Sequence, residues 1–211
     1  MINKTALIVG STGLVGSELL NLILHDDYYS KVISLVRNNT GISNTKLKEI
    51  KINFEKIEKY STEILADDIF CCLGTTIKKA GTKENFKKVD LIYPLKIAAA
   101  ALANGAQQFS VVSSIGADKN SKTFYTSVKG EMEEEIKKLN YFSLNIFRPS
   151  LLTGDREEFR FGEKIAQLFM KIFSFLFIGN LKKYKAIEAK TVAAEMLISA
   201  KRNSKGINIF E

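Results

Sequence analysis

Apolar and polar positions change rhythm repeatedly along this chain. Short β-rich runs, bounded by polar or glycine residues, predict strands at residues 4–9, 31–36, 48–54, 67–73, 108–114 and 143–148. Between them, apolar residues three and four apart predict helices at 14–25, 84–103 and 122–139. The 84–103 stretch carries Phe86, Val89, Leu91, Ile92, Leu95, Ala98, Ala99 and Leu102 on one broad face, and stops at the helix-ending pair Asn104-Gly105. Such alternation predicts an α/β protein with a doubly wound parallel sheet, helices covering both faces. Beyond residue 148 the pattern loosens. A polar loop from Thr153 to Glu158 leads to an apolar helix near 163–177, another helix at about 190–201 and a last short strand, Ile207–Phe210. A single domain over 1–211 is expected, with 151–211 contributing a small helical cap on the substrate side.

The most specific turn in this pattern is Gly10-Ser11-Thr12-Gly13-Leu14-Val15-Gly16. It follows the β-branched run Ala6 to Val9 and opens a helix whose apolar positions are Leu14, Val15, Leu19, Leu20 and Ile23. Strand, glycine turn and helix form the context of a dinucleotide site in a Rossmann fold. Glycines allow the sharp turn and close approach of backbone to a pyrophosphate, and the helix start offers N–H groups and a positive dipole end. The spacing is G-x-x-G-x-x-G rather than the commoner G-x-G-x-x-G. At the end of the second strand stand Arg37 and Asn38. An acidic residue here would favour NAD; an arginine suits the 2′-phosphate of NADP(H), so NAD(H) is the less favoured cofactor. The fourth strand ends in Cys71-Cys72-Leu73-Gly74-Thr75, where Gly74 would pass close to the adenosine side and Thr75 would donate to phosphate.

Tyr125 and Lys129 lie one helical turn apart and share a face. A phenol can serve as acid or base to a substrate oxygen, and a neighbouring ammonium lowers its pKa from near 10 by stabilising the phenolate. The preceding strand ends in Ser113-Ser114, and a serine there can hydrogen-bond a substrate carbonyl. Ser114 is preferred for a loop position facing the cleft, although strand alternation does not decide between the two. The acidic run Glu131, Glu133, Glu134 and Glu135 reads as a solvated helix face, and His25 as a solvated or capping residue. No metal site is expected, since one histidine and a cysteine pair do not supply four convergent ligands.

Composition changes this picture little. The chain has 211 residues, 45% apolar and 26% charged, with 31 basic against 23 acidic side chains and a net charge of +8. The lysines are interleaved with glutamates, as in Lys46 to Lys51, and no basic aromatic stripe suggests a nucleic-acid partner. Two adjacent cysteines and an N-terminus that enters a strand within a few residues point to a reduced, cytoplasmic protein without a leader. The apolar stretch 165–181 is short for a membrane span and Lys171 interrupts it, so no span is expected. Its phenylalanines, Phe169, Phe173, Phe175 and Phe177, offer a face for core packing, a homodimer or a protein partner.

These motifs, in this order, resemble the atypical branch of the short-chain dehydrogenase/reductase superfamily. The runs Phe70 to Thr76, Lys79-Ala80-Gly81, Ser113 to Lys119, Tyr125 to Glu131, Phe147-Arg148-Pro149 and Asp155-Arg156 with Glu158 are similar to the family of the human Tat-interacting protein oxidoreductase. The resemblance implies that Thr12, Gly13, Leu14 and Val15 contact the pyrophosphate, Arg37 and Asn38 the 2′-phosphate, and Leu73 and Gly74 the adenosine region. It implies Tyr125 as proton donor or acceptor with Lys129 beside it, and Leu152 and Arg160 closing over the cofactor. Two departures stand out: Ile115 replaces a lysine, and Asp90 occupies a position where many superfamily members carry asparagine. The expected activity is hydride transfer to or from a small carbonyl or alcohol substrate, with NADP(H) as cofactor. The alternatives are a non-catalytic NADPH-binding regulatory or interaction protein and, lower, a sugar-nucleotide epimerase or dehydratase.

Overall fold

The computed structural model describes residues 4–153 and 186–211. Arg160, the helix expected near 163–177 and the apolar stretch 165–181 lie outside the described residues. The chain opens with β1 (Lys4–Val9), α1 (Leu14–Leu24), β2 (Tyr29–Val36) and β3 (Leu47–Lys51). A 3₁₀ segment (Phe54–Glu63) leads to β4 (Asp68–Cys71), followed by two short helices, α2 (Ile77–Ala80) and α3 (Lys83–Lys87). A π turn (Lys88–Ile92) runs into α4 (Tyr93–Ala103), and β5 (Gln108–Val112), α5 (Phe124–Lys137) and β6 (Ser143–Phe147) complete the central part. After β7 (Leu152–Thr153), the described chain resumes with β8 (Ile187–Glu188), α6 (Ala189–Arg202) and β9 (Gly206–Phe210).

Seven strands form one parallel sheet in the order β3-β2-β1-β4-β5-β6-β9. The doubly wound expectation therefore holds. β1, β4, β5 and β6 are buried almost throughout, because helices cover them on both sides. One face packs Leu7, Ile69, Phe109 and Leu144 under α4 and α5. The other packs Ile8, Phe70 and Phe147 under α1 and α6, with Leu19 and Ile23 of α1 meeting Val192 and Met196 of α6. The order reverses between β1 and β4, which opens a crevice at their carboxyl ends where ligands of such sheets bind.

Two expectations need correction. Residues 84–103 are not one helix: α3, the π turn and α4 share the stretch. Tyr93 donates its N–H to the carbonyl of Lys88, five residues back, at the junction. Pro94 lies at the start of α4 and has no N–H to return to the carbonyl of Asp90. The second concerns 151–211 as a cap. Its last part belongs to the main body, since α6 packs on α1 and β9 pairs in parallel with β6.

Candidate functional site

The glycine turn joins β1 to α1 at the crevice. Gly10 has φ +83°, and a Cβ there would stand 2.6 Å from the Cys72 carbonyl oxygen of the adjoining β4 end. At Gly16 a Cβ would meet the Gly10 carbonyl oxygen at 2.1 Å. These two glycines let helix, turn and neighbouring strand end pack together. Gly13 caps α1 with extended backbone and no side-chain hydrogen bond, and no acidic residue lies in the first helical turn. The positive end of α1 is thus left for an outside anion rather than met by the chain's own carboxylate. Thr12 is exposed at the turn's tip, while Leu14 and Val15 begin the helix. Arg37 and Asn38 are exposed and immediately follow β2, on the same sheet edge. A basic side chain, an uncapped helix start and a glycine cradle fit the phosphates of a dinucleotide.

Across the crevice, Leu73, Gly74 and Thr75 leave the end of β4. A Cβ on Gly74 would lie 3.6 Å from Oδ1 of Asp90 and 3.9 Å from Nζ of Lys129, so this exposed glycine sits directly over that pair. Thr75 is tied to the neighbouring carboxylate through its backbone. Its backbone N–H donates to Oδ2 of Asp90 at 2.9 Å. Asp90 comes from the π turn and Lys129 from α5; Nζ and Oδ1 are 2.7 Å apart, with both side chains almost wholly buried. Lys129 Nζ also reaches the carbonyl of Val112 at the end of β5, at 3.4 Å.

The two serines after β5 point to different partners. Ser113 Oγ donates to Oε1 of Glu133 at 2.5 Å. Ser114 Oγ donates to the carbonyl of Ile115 at 3.3 Å, and its hydroxyl also acts on the Tyr125 phenol, in the direction that favours the phenolate. Ser114 is therefore the serine turned toward Tyr125. The Tyr125 ring lies 5.5 Å from that of buried Phe86. Lys129 acts on Tyr125 in the expected direction, but other effects outweigh it. Burial is the largest effect and raises the phenol pKa; the Lys129 ammonium lowers it, the Asp90 carboxylate raises it, and the net value stays above the usual one. Lys129 itself is held above its usual range: burial opposes this, and Asp90 outweighs it. Tyr125 is thus a phenol rather than a phenolate at neutral pH.

Glu133 departs from expectation. It is 1% exposed rather than solvated, and Arg148 holds its carboxylate through Nε at 3.0 Å and Nη2 at 2.7 Å. Sequence reasoning missed this residue although a signal was present: Glu133 follows Lys129 by four, on the face that buries Val128 and Met132. Burial raises the Cys71 thiol to about 12 and the Cys72 thiol likewise upward, so neither is a ready nucleophile. His25 ends α1, with Nδ1 2.8 Å from the carbonyl of Asn21. Leu152 lies in β7, paired with Ile187 of β8 and packed against the α1 side of the core. Arg160 lies outside the described residues. Among the described residues no cluster of metal-ligating side chains occurs, and no helix is long and apolar enough to cross a membrane.

Known proteins resemble this chain in sequence and fold. The profile of the NAD(P)H-binding family matches residues 10–165. Protein HTATIP2 of Rattus norvegicus is 39% identical over 173 residues, covering 80% of this chain and 71% of that protein. The mitochondrial protein FMP52 of Candida albicans is 34% identical over 214 residues, covering 95% of this chain and 88% of its own. Among solved structures, the UDP-Glc/GlcNAc 4-epimerase of Campylobacter jejuni superposes with a TM-score of 0.76 at 13% identity, over 99% of this chain and 78% of that one. A short-chain dehydrogenase family protein of Francisella tularensis gives 0.68 at 17% identity, over 98% and 96%. At these identities the structural likeness speaks for the fold. Several fungal relatives are named as mitochondrial, which overturns the cytoplasmic expectation. Two adjacent cysteines speak for reduced thiols, and that property does not single out one compartment. The fold, the glycine turn and these relatives together show that the chain belongs to the NAD(P)H-binding family and is related to HTATIP2 and FMP52.

Proposed function

We propose that this single-domain protein is an NADPH-dependent reductase of small carbonyl compounds, with Tyr125 as proton donor. The observation that carries the reading is the convergence of Tyr125, Ser114 and Lys129 at the carboxyl ends of β4 and β5, across the crevice from an uncapped glycine turn. When bound, the nicotinamide supplies a hydride to the carbonyl carbon. Gly10, Thr12, Gly13, Leu14, Val15 and Gly16 would hold the pyrophosphate at the start of α1. Arg37 and Asn38 would hold the 2′-phosphate, a planar guanidinium suiting that dianion. Leu73, Gly74 and Thr75 would flank the adenosine side, and Leu152 and Arg160 would close over the cofactor.

The residues then share the work on the substrate oxygen. Ser114 Oγ donates a hydrogen bond to the carbonyl and orients it. Tyr125 gives its hydroxyl proton to the same oxygen as negative charge develops there, which suits a phenol whose pKa burial has raised. The Lys129 ammonium has three N–H donors. It pairs with the Asp90 carboxylate and donates to the Val112 carbonyl, and a further N–H is the candidate donor to a ribose hydroxyl.

The test is NADPH consumption with a panel of aldehydes and ketones by native protein and Tyr125→Phe. The expected result is turnover by native protein and a loss of about a hundredfold or more in the variant, the usual size of a general-acid contribution, with NADPH affinity kept. Native turnover that survives Tyr125→Phe unchanged would sink the assignment. NADPH binding without turnover of any panel member would favour a binding protein that no longer catalyses.

A further inference from the structure

Asp90 takes no part in the proton transfer described above, yet its carboxylate is buried in the same cleft, 1% exposed. A buried charge persists only where partners replace its lost hydration. Both oxygens of Asp90 are so engaged, Oδ1 by the Lys129 ammonium at 2.7 Å and Oδ2 by the Thr75 N–H at 2.9 Å. The backbone that carries Asp90 is also unusual. It lies in the π turn, and Pro94 deprives its carbonyl of the N–H that a regular helix would return. A widened turn, a buried ion pair and a backbone bond to the β4 end thus meet at one residue.

We infer that Asp90 is a positioning residue for Tyr125: it binds the Lys129 ammonium, cancels much of that charge at the phenol, and anchors the pair to the cofactor-side loop through Thr75, which keeps Tyr125 in its proton-donating form. The inference rests on the reading of Tyr125 as donor. An ammonium standing alone beside a phenol stabilises the phenolate. Paired with a carboxylate, it presents a dipole whose field falls off faster. The described polar and charged groups acting on Tyr125 are Lys129 of α5, Asp90 of the π turn and Ser114 after β5. The Cys71 thiol of β4 acts on Lys129. Of these, Lys129 and Asp90 pull the phenol in opposite directions. The arrangement keeps the proton on the phenol until a stronger base, such as a developing alkoxide, takes it.

Phenolate absorbance followed against pH tests this. Native protein, Asp90→Asn and the double variant Asp90→Asn/Lys129→Gln are each titrated beside a counterpart carrying Tyr125→Phe, so that the difference isolates Tyr125. Asparagine keeps the size of Asp90 and an oxygen for the Thr75 N–H but removes the charge. The expected result is a Tyr125 midpoint lower by about one pH unit or more in Asp90→Asn, as an uncancelled neighbouring charge produces. In the double variant the midpoint should return close to the native one. An unchanged or higher midpoint in folded Asp90→Asn overturns the inference. If Asp90→Asn fails to fold because it buries an unpaired ammonium, native protein against the double variant decides. Equal midpoints support cancellation; a rise of about one unit or more in the double variant means that Lys129 acts uncancelled and overturns it. The readout needs no turnover, so failure of the reductase reading shows separately, as native activity that survives Tyr125→Phe.

Discussion

Ser113 Oγ donates to Oε1 of Glu133, while the next residue, Ser114, faces Tyr125. The two hydroxyls therefore serve different ends. Removing Ser113 leaves Glu133 still held twice by Arg148. Ser113→Ala should cost about 1.5–3 kcal/mol of stability, the worth of a hydrogen bond to a charged group, and leave turnover near native. Ser114→Ala should keep stability and lower turnover tenfold or more. Urea midpoints and NADPH consumption on both variants check this; the reverse pattern would make Ser113 the substrate-side serine.

Arg148→Ala should be among the most damaging changes remote from the cleft. It leaves the carboxylate of Glu133 buried with Ser113 as its remaining described partner, and also cuts the contact to Glu211 beyond β9. Breaking a buried ion pair from one side costs about 3–5 kcal/mol. Thermal unfolding should show a large fall in Tm, whereas Arg148→Ala together with Glu133→Gln should recover part of it. No recovery would mean that the arginine acts through packing rather than charge.

At the opposite end of the sheet, Asp68 is fully buried between Lys4 and the Tyr29 hydroxyl. Burial is the largest influence, and it raises the Asp68 pKa above the usual 3.8 in spite of both partners. The native state therefore holds this proton more tightly than the unfolded chain. Stability from Asp68 is full below the unfolded value and declines as pH rises through the raised native one. Urea unfolding of native protein and Asp68→Asn between about pH 3 and 8, a range spanning the carboxyl region, should show the native advantage shrinking as pH rises. An advantage that grows with pH would contradict the burial-dominated reading.

Gly16→Ala should harm folding before it harms binding, because its Cβ would meet the Gly10 carbonyl oxygen at 2.1 Å. Overpacking of this kind costs about 1–3 kcal/mol. Gly13→Ala meets the same oxygen at 3.2 Å and should lose less. Tm values of the two variants check the order. Equal losses would mean that the turn relaxes around either side chain.

The sheet was legible because strands buried on both faces read as continuous apolar runs, and β1 to β6 fall within a few residues of their expected positions. The glycine turn and the Tyr125–Lys129 spacing were legible because each is local. What escaped depends on partners distant in sequence. Glu133 looks solvated until Arg148 and Ser113 arrive from β6 and β5. Lys129 looks like a free ammonium until Asp90 arrives from the π turn. The break at 88–92 lay hidden under an unbroken apolar face, although Pro94 marked it. The 3₁₀ segment Phe54–Glu63 was not expected, although Phe54, Ile57 and Tyr60 stand three apart along it; only Ile57 is fully buried.

Calorimetric titration of native protein with NADPH and, separately, NADH tests the central claim most directly. The account predicts saturable one-to-one binding of NADPH, tighter than NADH by about tenfold or more, since one charge-assisted pairing to the 2′-phosphate is worth about 1.5–3 kcal/mol. That preference should vanish in Arg37→Glu. Heats indistinguishable from dilution for both dinucleotides would contradict the account, leaving the glycine turn a structural feature without its ligand.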